Sequence, residues 1–351
     1  MPAGARGSRR RADAASRFDL PGGDFYAPSV ALDPSEFQKT YVYETRAPVP
    51  EVLADLKALA DLDAKAERKR RTLWIAAWAC MVFSIAGCAL LSVAVGQLSF
   101  EQQDAMAGMP LLVGVASFAT GIVLFIIRAR AGRTDLDNRR YGLVATLLQR
   151  FQVDLDVNAP VDVKLDLSPR DDARKCVGKL KRGRWDCENF TDAWLSLHGR
   201  FADGTHLHLS VVDHLQKRRR YGRSSSGKTK LKTKRKGKTL LQVALRVKPE
   251  RFPGLSGLRA DAKQATRLPA GVVLSRLDVA EDRLSLRAVL DQEWSVVTTK
   301  PAPPAGTAPK GLTPPASQDA ARAATMMLLS LYQVLGATRR RSPSPARQQP
   351  V

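Results

Sequence analysis

Two apolar runs, residues 73–95 and 109–127, constrain this chain more than any other feature. Each is long enough to cross a bilayer as a helix, which takes about 20 mostly apolar residues. Neither contains a charged side chain. A backbone in lipid must satisfy its own hydrogen bonds, so each run is expected to be a transmembrane helix. Residues 73–128 then form a two-helix hairpin, to which everything else is attached.

The flanks orient it. Lys65, Arg68, Lys69, Arg70 and Arg71 precede the first run; Arg128, Arg130, Arg133, Arg139 and Arg140 follow the second. The connection, residues 96–108, carries Glu101 and Asp104 and no Lys or Arg. Positive residues near span ends stay cytoplasmic, so both termini are expected in the cytoplasm and the connection outside. The Ala/Arg/Leu-rich composition suggests a bacterial protein, hence an inner (plasma) membrane. Residues 1–48 lack an apolar core, so the first span, in place of a cleavable signal peptide, is the expected targeting element. No ionisable residue lies within either run, which argues against a transport or proton pathway.

Small residues recur every fourth position in the first run, at Ala76, Cys80, Ser84, Cys88, Ser92 and Gly96. The second run has Gly114, Ser117 and Gly121. Residues at i and i+4 share a helix face, and small stripes let helix backbones approach closely in lipid. Packing within the hairpin is expected. The same stripe would also serve a homo-oligomer.

The formal net charge of +22 implies anionic partners: lipid headgroups, nucleic acid or an acidic protein. Cys80 and Cys88 belong to the small stripe. Cys176 and Cys187 would lie in reducing cytoplasm, where a disulfide is not expected and two thiols are too few for a structural zinc site.

In chain order, residues 1–48 read as a disordered basic tail, with aromatic islands at Phe25-Tyr26 and at 41–43 as candidate docking segments. Residues 49–72 form a juxtamembrane helix, opened by Pro50 and striped by Val52, Leu56 and Leu59, that runs on into the first span. Residues 133–151 form a second one, with Thr134 and Asp137 as its capping signal. The two are placed to pair below the bilayer as a stalk.

Residues 152–299 change to a period of two. Seven strands are expected, at 153–157, 161–167, 194–201, 205–214, 241–247, 272–278 and 283–290. Around Ala202-Asp203-Gly204 the favoured register sets Leu195 against Val211 and Leu197 against Leu209, with Gly204 left-handed. The fold class is therefore membrane α plus a mainly antiparallel cytoplasmic β domain, a sandwich or open barrel. A Pro-rich linker (300–315), a C-terminal helix (316–336, capped by Ser317, stopped by Gly336, buried on the domain) and a disordered tail (337–351) complete the chain.

Three motifs bear on chemistry. Gly222-Arg-Ser-Ser-Ser-Gly227-Lys228-Thr229 matches the phosphate-binding P-loop pattern. The residues after it have no apolar helical face, and a P-loop needs a helix there to aim its amides, so no nucleotide site is expected. His198, His206 and His208 fall on facing strands, with His198 opposite His208 and Arg200 opposite His206. They are placed to face one cation, or else to line a hairpin's polar face. Residues 217–238 hold twelve Lys or Arg and no acid: Lys217, Arg218, Arg219, Arg220, Arg223, Lys228, Lys230, Lys232, Lys234, Arg235, Lys236 and Lys238. They read as a basic loop inserted between two strands that binds an anionic ligand. Tyr221 alone offers an aromatic platform there, which weakens a nucleic-acid reading based on base stacking.

No catalytic constellation and no cofactor site emerges. The expectation is a non-enzymatic interaction or scaffolding domain on a two-pass membrane protein, its basic loop on anionic headgroups. The alternative is a membrane-tethered nucleic-acid binder. A metal- or nucleotide-dependent enzyme rests on the first two motifs alone.

Overall fold

The computed structural model describes residues 34–97, 109–131, 136–157, 159–223, 227–296 and 318–341. Phe25-Tyr26, the acidic residues of the connection, Thr134, the Pro-rich linker and the tail beyond 341 lie outside them. In chain order the described elements are α1 (Pro34–Thr40), β1 (Val42–Ala47), α2 (Val49–Gly96), α3 (Met109–Ala131), α4 (Asn138–Phe151), β2 (Val161–Asp166), β3 (Cys176–Arg182), β4 (Trp185–Arg200), β5 (His206–Arg223), β6 (Thr229–Arg246), α5 (Arg259–Ala265), β7 (Val273–Val279), β8 (Arg283–Asp291) and α6 (Ala320–Arg341).

The strands form one open antiparallel sheet of eight, in the order β1-β2-β4-β5-β6-β8-β7, with β3 on the outer half of β4. This replaces the expected sandwich or open barrel. Helices supply the cover that a second sheet would have given. Alternation puts Leu207, Leu209 and Val211 of β5, Leu241, Val243 and Leu245 of β6, and Leu284, Leu286 and Leu290 of β8 on one face, all buried. Val52, Leu56 and Leu59 of α2, Leu143, Leu147 and Leu148 of α4, and Met327, Leu328 and Leu331 of α6 close the same core. Fully burying one such side chain contributes about 1.5–3 kcal/mol. The two helices next to the hairpin thus pair, as expected, with the Tyr141 hydroxyl donating to Asp63 at 3.1 Å, and both also pack on the sheet.

Strand pairing departs from expectation at β1, β3 and residues 153–157, besides the longer β4, β5 and β6. Residues 42–47, expected in a disordered tail, form the edge strand β1 against β2. Tyr43 is buried there and its hydroxyl donates to Asp55 Oδ2 at 2.8 Å. Residues 176–182 add β3. The alternation at 153–157 is not a strand. The amides of Asp154 and Leu155 bond back to the Phe151 carbonyl, so helix-end bonds claim that backbone. Val153 and Val157 stay more than 80 % exposed, and Leu155 makes a lone bridge to Phe201. The β4–β5 turn follows expectation: Leu195 faces Val211, Leu197 faces Leu209, and Gly204 has φ +82°.

α2 is unbroken for 48 residues, about 72 Å at 1.5 Å per residue. Its first part lies on the sheet. Its second part and α3 are long and apolar enough to cross a membrane, and only 12 % and 6 % of their most apolar windows are buried in the protein. A core helix of a soluble protein would be mostly buried. The small stripe meets α3 within the hairpin: Ser84 Oγ donates to the Gly114 carbonyl at 2.7 Å and Ser117 Oγ to the Cys80 carbonyl at 3.0 Å. A Cβ at Gly121 would come within 3.3 Å of the Met81 side chain and 3.4 Å of the Ala77 carbonyl, so the two helices pack closely here and a side chain fits only if Met81 gives by a few tenths of an ångström.

Two helix starts move. Asp137 caps α4, accepting from the Arg139 amide at 3.2 Å, in place of Thr134. Asp319 caps α6, accepting from the amides of Ala321 and Arg322. α6 runs through Gly336 to Arg341. Glycine in a helix costs about 1 kcal/mol, and the burial of Val334, Leu335 and Thr338 on either side offsets it.

Where α4 begins, the core turns ionic. Arg140 is 1 % exposed, and its guanidinium lies 2.6 Å from Asp192 Oδ2 and 3.3 Å from Asp213 Oδ2. It also donates to the Asp166 carbonyl at 2.8 Å. Lys175 bridges Asp166 and Asp192; Arg170 bridges Asp137 and Asp213. Burial pushes the Asp137 carboxyl up, but Arg139, Arg170 and Arg140 outweigh it and hold it below the usual range. Trp194 and Trp294 stack at 5.9 Å beside the ions, with Arg140 over the first ring and Arg139 over the second. Arg140, read as a membrane-flanking charge, therefore belongs to the domain's core, and Arg139, its side chain 38 % exposed, lies at the rim of it.

Removing one partner of a buried ion pair leaves the other uncompensated. Arg140→Ala should lose about 3–5 kcal/mol in thermal or denaturant unfolding of the detergent-solubilised protein. Lys164→Ala, which removes the exposed pair with Glu44, should lose less than about 1 kcal/mol. Equal losses would deny the ionic core its role.

Candidate functional site

The twelve-cation segment expected as a loop is β structure. β5 and β6 stay paired from His206↔Arg246 out to Arg223↔Thr229. Local sequence supports this: Thr229, Leu231 and Thr233 alternate with Lys230, Lys232 and Lys234. Alternating β-branched and charged residues suit a strand, and the density of charge masked that period. β8 reaches only as far as Lys238, opposite Asp291. β4 reaches Asp186, opposite Arg219. Beyond these points β5 and β6 form a two-stranded ribbon, with the β3–β4 hairpin beside its root.

Cross-strand pairs sort the ribbon into two faces. One face carries Arg218 opposite Lys234, Arg220 opposite Lys232, and Gly222 opposite Lys230, with Lys236 nearer the sheet. Trp185, unremarked in the sequence, lies under it: the Arg220 guanidinium sits 4.6 Å and the Lys234 ammonium 5.7 Å from its ring centre. The other face continues the core side. At its root Lys217 and Arg235 both pair with Asp171, and Arg219 approaches Glu188. The Lys217 hydrogen bond and the two cationic charges hold the Asp171 carboxyl below its ordinary range. Further out the same face carries Tyr221 opposite Leu231, both exposed. Three of the twelve cations thus have acidic partners. For the other nine, no ion pair is present among the described residues.

The ribbon has a fixed direction. α4 starts six residues after α3, and its Arg140 meets Asp213 of β5. Its far end, Phe151, meets Phe201, next to the start of β5. β5 therefore runs toward the end of the domain from which the two apolar helices emerge. It continues ten residues past Asp213, about 33 Å at 3.3 Å per residue. On α2, Asp63 sits at the level of α4's first turn, accepting from the Tyr141 hydroxyl at 3.1 Å. From there to Leu73, where the apolar run begins, is about 15 Å of helix.

The other two motifs resolve differently. Gly222 and Arg223 end β5 and Thr229 opens the antiparallel β6, so a strand follows where a P-loop has a helix. His198 does face His208, with rings 4.3 Å apart and nearly parallel, and Arg200 faces His206. His198 Nε2 is 3.2 Å from Ser196 Oγ. Among the described residues no group of three or more His, Cys, Asp or Glu is arranged to hold a metal ion. The histidines line the sheet's uncovered face. Burial, and then the neighbouring His198, push the His208 imidazole down to about 4.

Comparison with protein-family models, with curated proteins and with solved structures finds no match to this chain.

The His208 shift has a sign. Its folded pKa, about 4, lies below the ordinary 6.5, so between these values the unfolded chain takes up a proton that the folded one refuses. Its contribution to stability should be complete above pH 6.5 and fall as the pH drops toward 4, by at most about 1.4 kcal/mol per pH unit for one proton. Burial pushes His198 and His214 down as well, so they add to the same slope. Melting curves across this range should show the slope, and His208→Gln should reduce it.

Proposed function

We propose that this is a two-pass integral membrane protein with both termini cytoplasmic. Its domain is a non-enzymatic interaction module, and the β5–β6 ribbon rests on anionic lipid headgroups. One observation carries the reading: the paired ribbon extends from the end of the domain from which the apolar helices emerge, and it is longer than the distance to where they begin. The exposed apolar side chains of α2 and α3, among them Trp74, Phe83, Ile85, Leu112 and Phe118, need a cover that lipid supplies. The basic flank at Lys65–Arg71 and the acidic connection set the orientation. Each cation close to an anionic leaflet contributes about 1 kcal/mol, screened by salt.

A second reading keeps the hairpin and gives the ribbon a nucleic acid. The cationic face formed by Arg218, Arg220, Lys230, Lys232, Lys234 and Lys236 favours it. A two-stranded ribbon fits the major groove, and cations spaced along it would meet phosphates.

Reporters fused after Val351 and inserted between Gln102 and Gln103 test the topology. The first should be active in the cytoplasm and the second outside; the reverse pattern rejects the orientation. The ribbon is tested in the full chain, reconstituted in nanodiscs with and without phosphatidylglycerol. Two engaged cations are worth about 2 kcal/mol, so anionic lipid should slow tryptic cleavage at Lys228–Lys236 more than about tenfold. Changing Lys228, Lys230, Lys232, Lys234, Arg235 and Lys236 to Gln should weaken membrane contact and reduce its dependence on anionic lipid, read as protection of the remaining ribbon amides from hydrogen exchange. Protection that requires duplex DNA in place of anionic lipid would favour the second reading.

A further inference from the structure

Tyr221 and Leu231 are the feature of the ribbon that its charge does not explain. They face each other across the two strands, with Cβ atoms about 5 Å apart as in any directly opposed pair. Tyr221 is 70 % and Leu231 53 % exposed. β4 ends its pairing at Arg219 and β8 at Lys238, so neither flanks this pair and core packing does not call for apolar residues here. Arg219 and Arg223 lie two residues to either side of Tyr221, and Thr229 and Thr233 two residues to either side of Leu231, on the same face. Lys230 and Lys232 lie on the opposite face.

We propose, building on the membrane reading above, that the Tyr221–Leu231 pair is an interfacial anchor that enters the bilayer at the boundary between headgroups and acyl chains. The chemistry of the pair fits that boundary. A tyrosine ring is apolar along its body and polar at its hydroxyl, and tyrosine concentrates at membrane–water interfaces for that reason. Leucine partitions into hydrocarbon. Long cationic side chains keep their charged heads in water while their stems lie along apolar surface, so Arg223, Lys230 and Lys232 can hold phosphates while the pair between them descends. The geometry allows it. Tyr221 lies eight residues beyond Asp213, about 26 Å along the strand, against about 15 Å from Asp63 to the start of the apolar run. The ribbon thus has length to spare for a tilt. A two-stranded ribbon also positions the pair, where a flexible basic loop would leave it free.

The inference differs from headgroup attraction in its response to salt. At about 1 M salt the screening length falls to about 3 Å, so attraction between exposed charges is lost while burial of an apolar pair persists. The test uses the full chain in nanodiscs containing phosphatidylglycerol, with the four native cysteines changed to Ala and a fluorophore at Leu231→Cys. A nitroxide placed high on the acyl chain should quench this label and leave one at Lys232→Cys unquenched. More than half of the quenching should survive about 1 M NaCl. A second measurement avoids the label: in the otherwise native chain, Tyr221→Ser with Leu231→Ser should keep lipid-dependent trypsin resistance at low salt and lose it at high salt, where the native pair retains it. Trypsin resistance in anionic nanodiscs with no quenching at position 231, and lost at high salt, would overturn the anchor and leave the headgroup reading standing. No resistance in any lipid would overturn both. Quenching that duplex DNA abolishes at physiological salt would replace the anchor with a nucleic-acid contact.

Discussion

A guanidinium with 1 % of its surface exposed must be neutralised where it lies, and the rest of this domain is arranged around doing so for Arg140. Arg139, Arg140, Arg170 and Lys175 meet Asp137, Asp166, Asp192 and Asp213, so the cluster carries no net charge of its own. Thr239 extends it, donating to Asp213 at 2.6 Å and accepting from the Trp294 indole at 3.1 Å. Buried ion clusters gain little stability over well-packed apolar side chains of the same volume. What the cluster adds is direction. Guanidinium and carboxylate groups accept few relative orientations, so α4, β2, β4, β5 and β6 meet in one arrangement. The ribbon's heading relative to the apolar helices follows from that arrangement.

The acids of this chain are placed where cations are buried or crowded. Asp171 and Glu188 serve the root of the ribbon, and the core cluster takes four more. Toward the ribbon's end acids are absent between Lys217 and Lys238, and nine of the twelve cations there have no acidic partner among the described residues. Compensated charge in the core and uncompensated charge at the periphery are two uses of the same residue types. The contrast separates a structural network from a binding surface more clearly than the number of basic residues does.

Much of this was legible in the sequence, and the exceptions share a cause. The turn at Gly204 and its register could be read because both strands are adjacent in the chain and their apolar residues pair in one way. The continuity of the juxtamembrane helix into the first apolar run could be read because nothing in residues 49–96 breaks a helix once it has started. β1 could not, since its partner β2 lies beyond both apolar runs and six residues carry too little pattern alone. In the ribbon, charge density hides a period of two, so its sequence resembles a loop. The local sequence of Arg140 matches that of interfacial arginines. What distinguishes it, two aspartates on β4 and β5, is distant in sequence.

The pairing of β1 with β2 has a consequence in time. Residues 48–160, with both apolar helices, separate the two strands. A ribosome makes β1 and the first part of α2 well before β2, β4 and β5 exist. Tyr43, Val52 and Leu56 have no core to enter until the whole hairpin has been synthesised. In a membrane, the insertion machinery would therefore receive both spans before the sheet could close over the N-terminal segment. Once closed, the sheet holds the chain on both sides of the two apolar helices, so the pairing of β1 with β2 also fastens the loop that contains them.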